Sequence, residues 1–462
     1  MIAVITPDQA RAADAASTVP IATLIDRAGS AVARTAVSMM GGTYGRTVVV
    51  IAGPGNNGAD GRHAAQLLRD RGCRVVVVGT DPPPVDILDV VGRATGSVDL
   101  VIDAAYGTGF RGSWDPPAVA DAPVLAVDVP SGLDAMTGRF DRVLAASVTV
   151  TFQAAKPGLL LGDGPAVAGR IEVADIGLSL PEPYAQWLTA EDIAGWLPQR
   201  SRESHKWTTA VRLVAGSDGM SGAGSLAARS AFRAGAGMVR WSHLGSAVAD
   251  PIEAVREPLP DAGWSAMVLS DLDRFGAVVV GPGLGRRGSV ADEAASLIFS
   301  SSLPLVIDGD ALFALTWNPH GSPATLRNRT GPVVITPHDG EYATLMGEPP
   351  GDDRIAAANR LVAETGAVVV LKGPTTVIAA PDGRTWLVNV GDERLATAGT
   401  GDVLSGVIGA FLAAGLPGWR AAAAAAWIHG DAARRCAYGA TASDIADAIA
   451  PAMASAFEDI AR

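Results

Sequence analysis

The residues most suited to chemistry are Gly399-Thr400-Gly401-Asp402, which open an apolar helical pattern at Val403-Leu404. Glycines let backbone N–H groups approach an anion, and the start of a helix favours negative charge. A carboxylate in that first turn stands beside a bound phosphoryl group. It is placed to take a proton from a hydroxyl while the N–H groups hold phosphoryl oxygens. An aspartate that only caps the helix is the competing reading. Two other segments end apolar runs in a similar way: Thr336-Pro337-His338-Asp339-Gly340-Glu341 and Lys372-Gly373-Pro374-Thr375-Thr376.

The first half of the chain carries a second set. Residues 53–61 read GPGNNGADG, and Gly53, Gly55 and Gly58 satisfy the G-x-G-x-x-G dinucleotide fingerprint. Asp81 stands about where that fingerprint places a ribose-binding acid. Asn56, Asn57 and Asp60 argue against it, because Asp60 would repel a pyrophosphate over the first turn of the next helix. Two more polar segments follow apolar runs: Asp103 through Gly112, and Asp128-Val129-Pro130-Ser131-Gly132. Carboxylate, carboxamide and hydroxyl are hard oxygen donors, suited to an alkali or alkaline-earth cation and not to zinc.

These segments need a scaffold that brings strand ends together. Val-rich runs at 47–52, 74–79, 100–103, 124–128 and 147–152 alternate with helical patterns such as 21–40 and 61–71. Strands apolar on both faces belong in a parallel sheet, so the rhythm predicts a doubly wound α/β domain. A second series runs through 211–215, 238–242, 277–280, 305–308, 333–336, 368–372 and 376–379, then an Ala-rich helical part over 401–450 broken at 415–418. Between the two series, residues 177–202 read as a linker without strand pattern, in which Thr189 and Asp192 form a capping box. The expectation is two three-layer α/β/α domains, residues 1–185 and 186–462. In open parallel sheets ligands bind outside the carboxyl ends of strands, where Asp103, Asp128 and Asp308 fall.

The 462 residues are 48% hydrophobic and 18% charged, with a formal net charge of −12. The acidic balance, without a Lys/Arg cluster, argues against nucleic acid and anionic membranes as partners. Cys73 and Cys436 form no metal or disulfide pattern. The N-terminal residues lack a signal-peptide pattern, and the longest apolar stretch, near 421–428, is too short to span a bilayer. A cytoplasmic, reducing location is expected.

The second half resembles the ribokinase-like superfamily of small-molecule kinases in its TPHDGE, LKGPTT and GTGD segments. His338 stands where those kinases usually have Asn. With Gly281-Pro282-Gly283-Leu284-Gly285 and Gly216-Ser217-Asp218-Gly219-Met220-Ser221-Gly222-Ala223, it is similar to the NAD(P)H-hydrate dehydratase branch over about residues 189–462. The resemblance implies a Mg²⁺-assisted phosphorylation of the hydrated nicotinamide ring, with ADP as donor. Loss of phosphate then restores NADH or NADPH. By the same resemblance Asp402 is the base, and Gly399 and Gly401 form the anion hole. Ala223, Gly283, His338 and Asp402 meet the substrate, Glu341 the Mg²⁺–phosphate network, and Lys372, Gly373, Pro374, Thr375 and Thr376 the nucleotide.

The first half is similar to the NAD(P)H-hydrate epimerase domain over about residues 1–178, so a Rossmann-like fold is implied. There the resemblance makes Asn57, Asp103 and Ser131 K⁺ ligands. It makes Asn56, Asn57, Gly58, Ala59, Asp60, Gly107, Thr108, Gly109, Phe110, Arg111, Gly112, Ser113 and Asp128 substrate contacts. Asp128 is the candidate acid/base. Ala59 departs from the usual Gly, and Lys156 matches a family segment whose role the residues do not reveal. Together the two halves resemble the bifunctional NAD(P)H-hydrate repair family, which implies NADHX and NADPHX as substrates and self-association of the chain. The residues alone leave two alternatives: a small-molecule kinase with an accessory domain, and a first domain that binds ligand without catalysis.

Overall fold

The computed structural model describes all residues except 82–85, 88–96, 120, 247–249, 287, 318–321 and 459–462. It divides into two compact units, Ile2–Gln186 and Trp187–Arg462, the latter joined by Met1.

In the first unit the strands are β1 (Thr47–Ala52), β2 (Arg74–Val78), β3 (Leu100–Ala104), β4 (Val124–Val127), β5 (Val148–Phe152) and β6 (Arg170–Ala174). Their order is β2-β1-β3-β4-β5-β6, and every pairing is parallel. Chain direction across the sheet reverses between β1 and β3, so that gap is the crevice where open α/β sheets take ligands. β1 delivers the glycine segment to it and β3 delivers Asp103, which pairs with Ile51 in register. β1, β3 and β4 are wholly buried, which accounts for their unbroken apolar sequences.

Helices α1 (Pro7–Ala16), α2 (Ile21–Met40) and α3 (Asn56–Asp70) belong to this unit. The sequence predicted α3 from residue 61; it starts at Asn56, so the asparagines and Asp60 lie within its first turns and not in a loop. Close packing explains the early start. A β-carbon on Gly58 would lie 1.9 Å from the Gly53 carbonyl oxygen, and one on Gly53 would lie 1.9 Å from that of Ala105. No side chain fits at either place, so the helix begins directly against the strand ends.

In the second unit the strands are β7 (Ala210–Val214), β8 (Met238–His243), β9 (Val255–Pro258), β10 (Ala277–Val280), β11 (Leu305–Ile307), β12 (Val333–Ile335), β13 (Val368–Leu371), β14 (Thr376–Ala379) and β15 (Thr385–Val388). They lie in the order β15-β14-β13-β12-β11-β10-β7-β8-β9. Pairing is parallel from β9 to β13 and antiparallel for β13–β14 and β14–β15. Helices α4 (Ser221–Arg233), α5 (Asp339–Met346), α6 (Thr400–Ala413) and α7 (Gly418–Arg435) accompany the sheet. α6 is buried along nearly its whole length. A β-carbon on Gly406 would meet the Ala227 carbonyl oxygen at 2.2 Å, so α6 and α4 touch backbone to backbone. That contact fixes the helix start carrying Asp402.

The segment at 177–202 contains a strand, Ala185–Trp187, that its sequence did not predict, while the Thr189–Asp192 capping box is present. Among the described residues no helix is long and apolar enough to cross a membrane.

Candidate active sites at two sets of strand ends

In the first unit a cavity of about 730 Å³ opens at the β1/β3 gap. Its lining includes Asn56, Asn57, Asp60, Gly107, Asp128 and Lys156. Thr108, Gly109 and Phe110 also face it, whereas Gly58, Ala59, Arg111, Gly112 and Ser113 are not part of its lining. Phe110 stacks on Tyr106 with ring centroids 4.1 Å apart.

Beneath the cavity Asp103 is fully buried. The Ser131 hydroxyl donates to its Oδ1 at 2.6 Å and the Ser131 amide to its Oδ2 at 2.8 Å. Burial raises the Asp103 carboxyl to about 6 even against those hydrogen bonds. Both polar atoms of the Asn57 carboxamide are buried without a hydrogen-bond partner. Gly107 links the groups: a β-carbon there would lie 3.1 Å from Asp128 Oδ2 and 3.3 Å from Asn57 Cγ. Among the described residues no three His, Cys, Asp or Glu side chains form a metal site. A cation here would therefore draw on the carboxamide and hydroxyl as well as the carboxylate. An unpartnered carboxamide and a buried carboxyl with no ammonium or guanidinium beside it fit a hard cation.

Asp128 follows β4 in a left-handed conformation, φ 69°, which few side chains adopt. Its Oδ1 lies 2.7 Å from Lys156 Nζ, and its Oδ2 accepts from the Thr108 amide at 3.1 Å. Burial alone would raise Asp128, but the Lys156 ammonium and the Thr108 hydrogen bonds hold its carboxyl below the usual range. Lys156 is only 3% exposed and also donates to Thr151 Oγ1 at 2.8 Å. The sequence flagged Lys156 without a role; this contact supplies one, between residues far apart in the chain. Asp60 differs. Burial, then Asp128 and Asp14, push its carboxyl up to about 8.

In the second unit Asp402 lies in the first turn of α6, preceded by Gly399 at φ 94°. Burial and the nearby Asp308 raise Asp402 to about 7, although Lys372 opposes the rise. Lys372 Nζ lies 3.1 Å from Asp308 Oδ1 and 3.6 Å from Glu341 Oε2. Asp308 is held by the Thr336 hydroxyl at 2.6 Å and the Ser405 hydroxyl at 2.7 Å. Its burial is offset by Lys372, so its carboxyl lies below the usual range. A β-carbon on Gly401 would lie 3.5 Å from Lys372 Nζ, which brings the GTGD turn and the lysine together.

His338 caps α5. Its Nδ1 accepts from the amides of Gly340 at 3.0 Å and Glu341 at 3.2 Å, and its own amide donates to Glu341 Oε2. The imidazole is 59% exposed, and with Nδ1 accepting, its Nε2 lies 3.6 Å from Glu341 Oε1. A β-carbon on Gly283 would lie 2.7 Å from that of Ala223, so these two expected substrate contacts are neighbours. Gly373 is backed by Arg354, which donates to the Lys372 carbonyl at 2.7 Å and pairs with Asp339 at 2.8 Å. Pro374 is exposed, Thr375 buried, and Thr376 begins β14.

Sequence reasoning gave no role to Ser405, Thr336 or the buried His429, whose Nε2 has no partner. Ser405 lies one turn beyond Asp402 on α6, a spacing that puts both on one helix face, but its contact with Asp308 joins residues 97 positions apart and left no signal in the sequence. Asp14 gave no signal, because α1 reaches the cavity only through tertiary packing.

The fold and these sites define an enzyme built from a ribokinase-like α/β unit and a parallel, Rossmann-like one. Residues 211–453 match the family model described as NAD(P)H-hydrate dehydratase, and residues 21–91 and 84–158 match that of the YjeF-related protein N-terminus. The bifunctional NAD(P)H-hydrate repair enzyme of Mycobacterium leprae is 39% identical over 413 residues, covering 85% of this chain and 84% of that protein. Its Escherichia coli counterpart is 35% identical over 419 residues, covering 83% and 80%. The ADP/ATP-dependent NAD(P)H-hydrate dehydratase of Bacillus subtilis, co-crystallised with ATP and Mg²⁺, superposes with a TM-score of 0.50 at 31% identity, covering 59% of this chain and 99% of that one. A ribokinase-like protein of Enterococcus faecalis shares the fold, with a TM-score of 0.51 at 24% identity over 60% of this chain and 98% of that one. The chain belongs to the family of bifunctional NAD(P)H-hydrate repair enzymes.

Proposed function

We propose that the chain restores hydrated NADH and NADPH in two steps, epimerisation in residues 1–185 and dehydration in residues 186–462. The observation that carries this reading is the pair of strand-end sites, each an aspartate with a lysine near it, in a chain similar along most of its length to repair enzymes.

In the second unit Asp402 takes the proton of the C6 hydroxyl as the oxygen attacks the terminal phosphoryl group of the nucleotide. A carboxyl at about 7 is balanced between binding and releasing that proton. Gly399 and Gly401 offer backbone N–H groups to phosphoryl oxygens. Lys372, Gly373, Pro374, Thr375 and Thr376 hold the nucleotide, with Lys372 anchored by Asp308. Ala223, Gly283 and His338 face the substrate. Glu341 would hold Mg²⁺ with the nucleotide phosphates, where the ion neutralises phosphate charge. Hydroxide leaves poorly and phosphate well, so phosphorylation followed by phosphate loss gives back the reduced cofactor. ADP is the donor, leaving AMP and phosphate.

In the first unit Asn57, Asp103 and Ser131 would hold K⁺, which supplies a fixed positive charge for polar groups of the substrate. Asn56, Gly107, Thr108, Gly109 and Phe110 bind the substrate, with Gly58, Ala59, Arg111, Gly112 and Ser113 framing them. Asp128, charged and held by Lys156, accepts a proton at C6. The chain acts on small molecules, works in the cytoplasm and self-associates.

The test is repair of mixed R and S NADPHX by the pure chain with ADP, Mg²⁺ and K⁺, followed by absorbance at 340 nm. Complete recovery from both epimers is expected. A stable phosphorylated product without recovered absorbance would leave only a kinase.

A further inference from the structure

Asp128 carries its charge against Lys156, so it is equipped to accept a proton and ill suited to give one. Reversing C6 of a hydrated ring needs both acts, one at the hydroxyl oxygen and one at the ring nitrogen. The same cavity holds a second carboxyl. We propose that Asp60 is the proton donor of the epimerase site, acting on the ring nitrogen while Asp128 serves the C6 hydroxyl. The assignment rests on the epimerase reading above and adds a catalytic role to a residue otherwise counted as a substrate contact.

The geometry comes first. Asp60 is 7% exposed and lines the cavity. Its carboxyl takes no hydrogen bond and no ion pair from any described residue. It sits on α3 three and four residues after Asn57 and Asn56, so all three share one helix face. The Asn57 carboxamide, one turn earlier on the same helix, is likewise unpartnered.

Burial first, and then the surrounding charges, explain why Asp60 keeps its proton. Lys156, the cation of the cavity wall nearest the carboxylates, is taken by Asp128. Arg62 donates to the Gly53 carbonyl, and Arg11 of α1 pairs with Asp8. On α2, Asp26 is met by His63. What faces Asp60 is therefore Asp128 from β4 and Asp14 from α1, both negative when ionised. Burial is the main cost of ionising Asp60, and a third carboxylate beside Asp128 and Asp14 adds to it. Two carboxyls whose surroundings push their proton affinities apart form an acid–base pair.

The step balances. Asp128 accepts the C6 hydroxyl proton, the C6–O bond becomes C=O, the C6–N1 pair moves onto nitrogen, and Asp60 gives N1 a proton. The product is an open aldehyde with an N–H enamine. Rotation about C5–C6 exposes the other aldehyde face. Reclosure returns the N–H proton to Asp60 and the Asp128 proton to oxygen, so nothing is consumed.

The experiment uses the full chain with K⁺ and no nucleotide, so that neither epimer is drawn off, and follows R/S interconversion by chromatography. Asp60→Asn keeps shape and a donor N–H but cannot release a proton. Its kcat for epimerisation should fall by about 10²- to 10³-fold with KM within about threefold. In the parent chain, kcat/KM should fall as pH rises through about 8, and that limb should vanish in D60N. An unchanged kcat, a change confined to KM, or a limb that survives in D60N overturns the proposal while epimerisation itself stands. Parent chain that does not interconvert the epimers overturns the reading beneath it as well. A first-unit melting transition matching that of the parent chain checks folding. Should D60N fail to fold, the parent profile decides alone: activity level to pH 10 overturns the assignment.

Discussion

The two units solve one problem differently. Each sets an aspartate at strand ends near a lysine. In the first, Lys156 is committed to the aspartate itself, at 2.7 Å from Asp128. In the second, Lys372 is committed to a different carboxylate, Asp308 at 3.1 Å, and Asp402 remains raised to about 7. A lysine spent on the reacting group fixes it as an anion. A lysine spent next door leaves the reacting group adjustable and keeps an ammonium available to phosphate. Under the proposed function the difference follows the chemistry: one site exchanges protons on a ring, the other must tolerate a highly charged donor beside its base.

The largest effects break this contrast at its centre. Asp402→Asn should lower dehydration by about 10³- to 10⁴-fold while leaving R/S interconversion intact, measured at 340 nm and by chromatography on one preparation. Loss of both activities together would show that the two sites are not separate. Dehydration should also climb with pH through about 7, because the base form of Asp402 exists above its raised value. Asp128→Asn should do the reverse, lowering epimerisation by about 10²- to 10³-fold with S-epimer dehydration unchanged. If interconversion survives, Asp128 is not the proton acceptor.

Next in size is Lys156→Met. It leaves a buried carboxylate uncompensated, a change that costs about 3–5 kcal/mol in comparable buried pairs. Calorimetry should show the first unit melting earlier. The sign in pH follows from Asp128 lying below its ordinary value when folded: the pair stabilises above the unfolded pKa and is lost as pH falls through the folded one. K156M should therefore erase part of the acid sensitivity of that transition. An unchanged melt would mean the pair contributes nothing.

Smaller still is the effect of replacing K⁺ by Li⁺, or of Asn57→Ala. Both should weaken epimerisation several-fold and remove any K⁺-dependent rise in the melting temperature of the first unit, with dehydration as internal control. A K⁺ response that persists in Asn57→Ala would remove Asn57 from the ligand set. The least effect is expected for Ala59→Gly. Ala59 is half-buried on α3 but outside the cavity lining, so epimerisation should change by less than about threefold, and the helix should lose at most about 1 kcal/mol.

Much of the frame was legible in the chain. Buried parallel strands leave continuous apolar runs, and β1, β3 and β10 were found that way. β6, Arg-Ile-Glu-Val-Ala, and β9, Val-Arg-Glu-Pro, were not, because edge strands alternate or carry polar residues and a proline. α3 was begun too late because Asn-Asn-Gly is a poor helix start by propensity. Packing of Gly58 on Gly53 overrides it. Within the sites, single residues were readable and their partners were not. Asp128 stood out at a strand end, but the lysine that sets its charge lies 28 positions on, and Asp14 reaches the cavity from a separate helix. Of the fingerprint glycines, Gly53 and Gly58 serve the strand-to-helix contact, while Gly55 and the residues beside it, Pro54, Asn56 and Asn57, face the cavity.

The left-handed backbone at Asp128 has a consequence for how this site would be lost over generations. At φ 69° only glycine, asparagine and aspartate sit without appreciable strain. Both glycine and asparagine are one nucleotide change from aspartate. Lineages that no longer need epimerisation should therefore drift first to Asn at this position, whose carboxamide oxygen can still accept from Lys156, and keep a folded first unit. Other replacements there should be removed by instability before they spread.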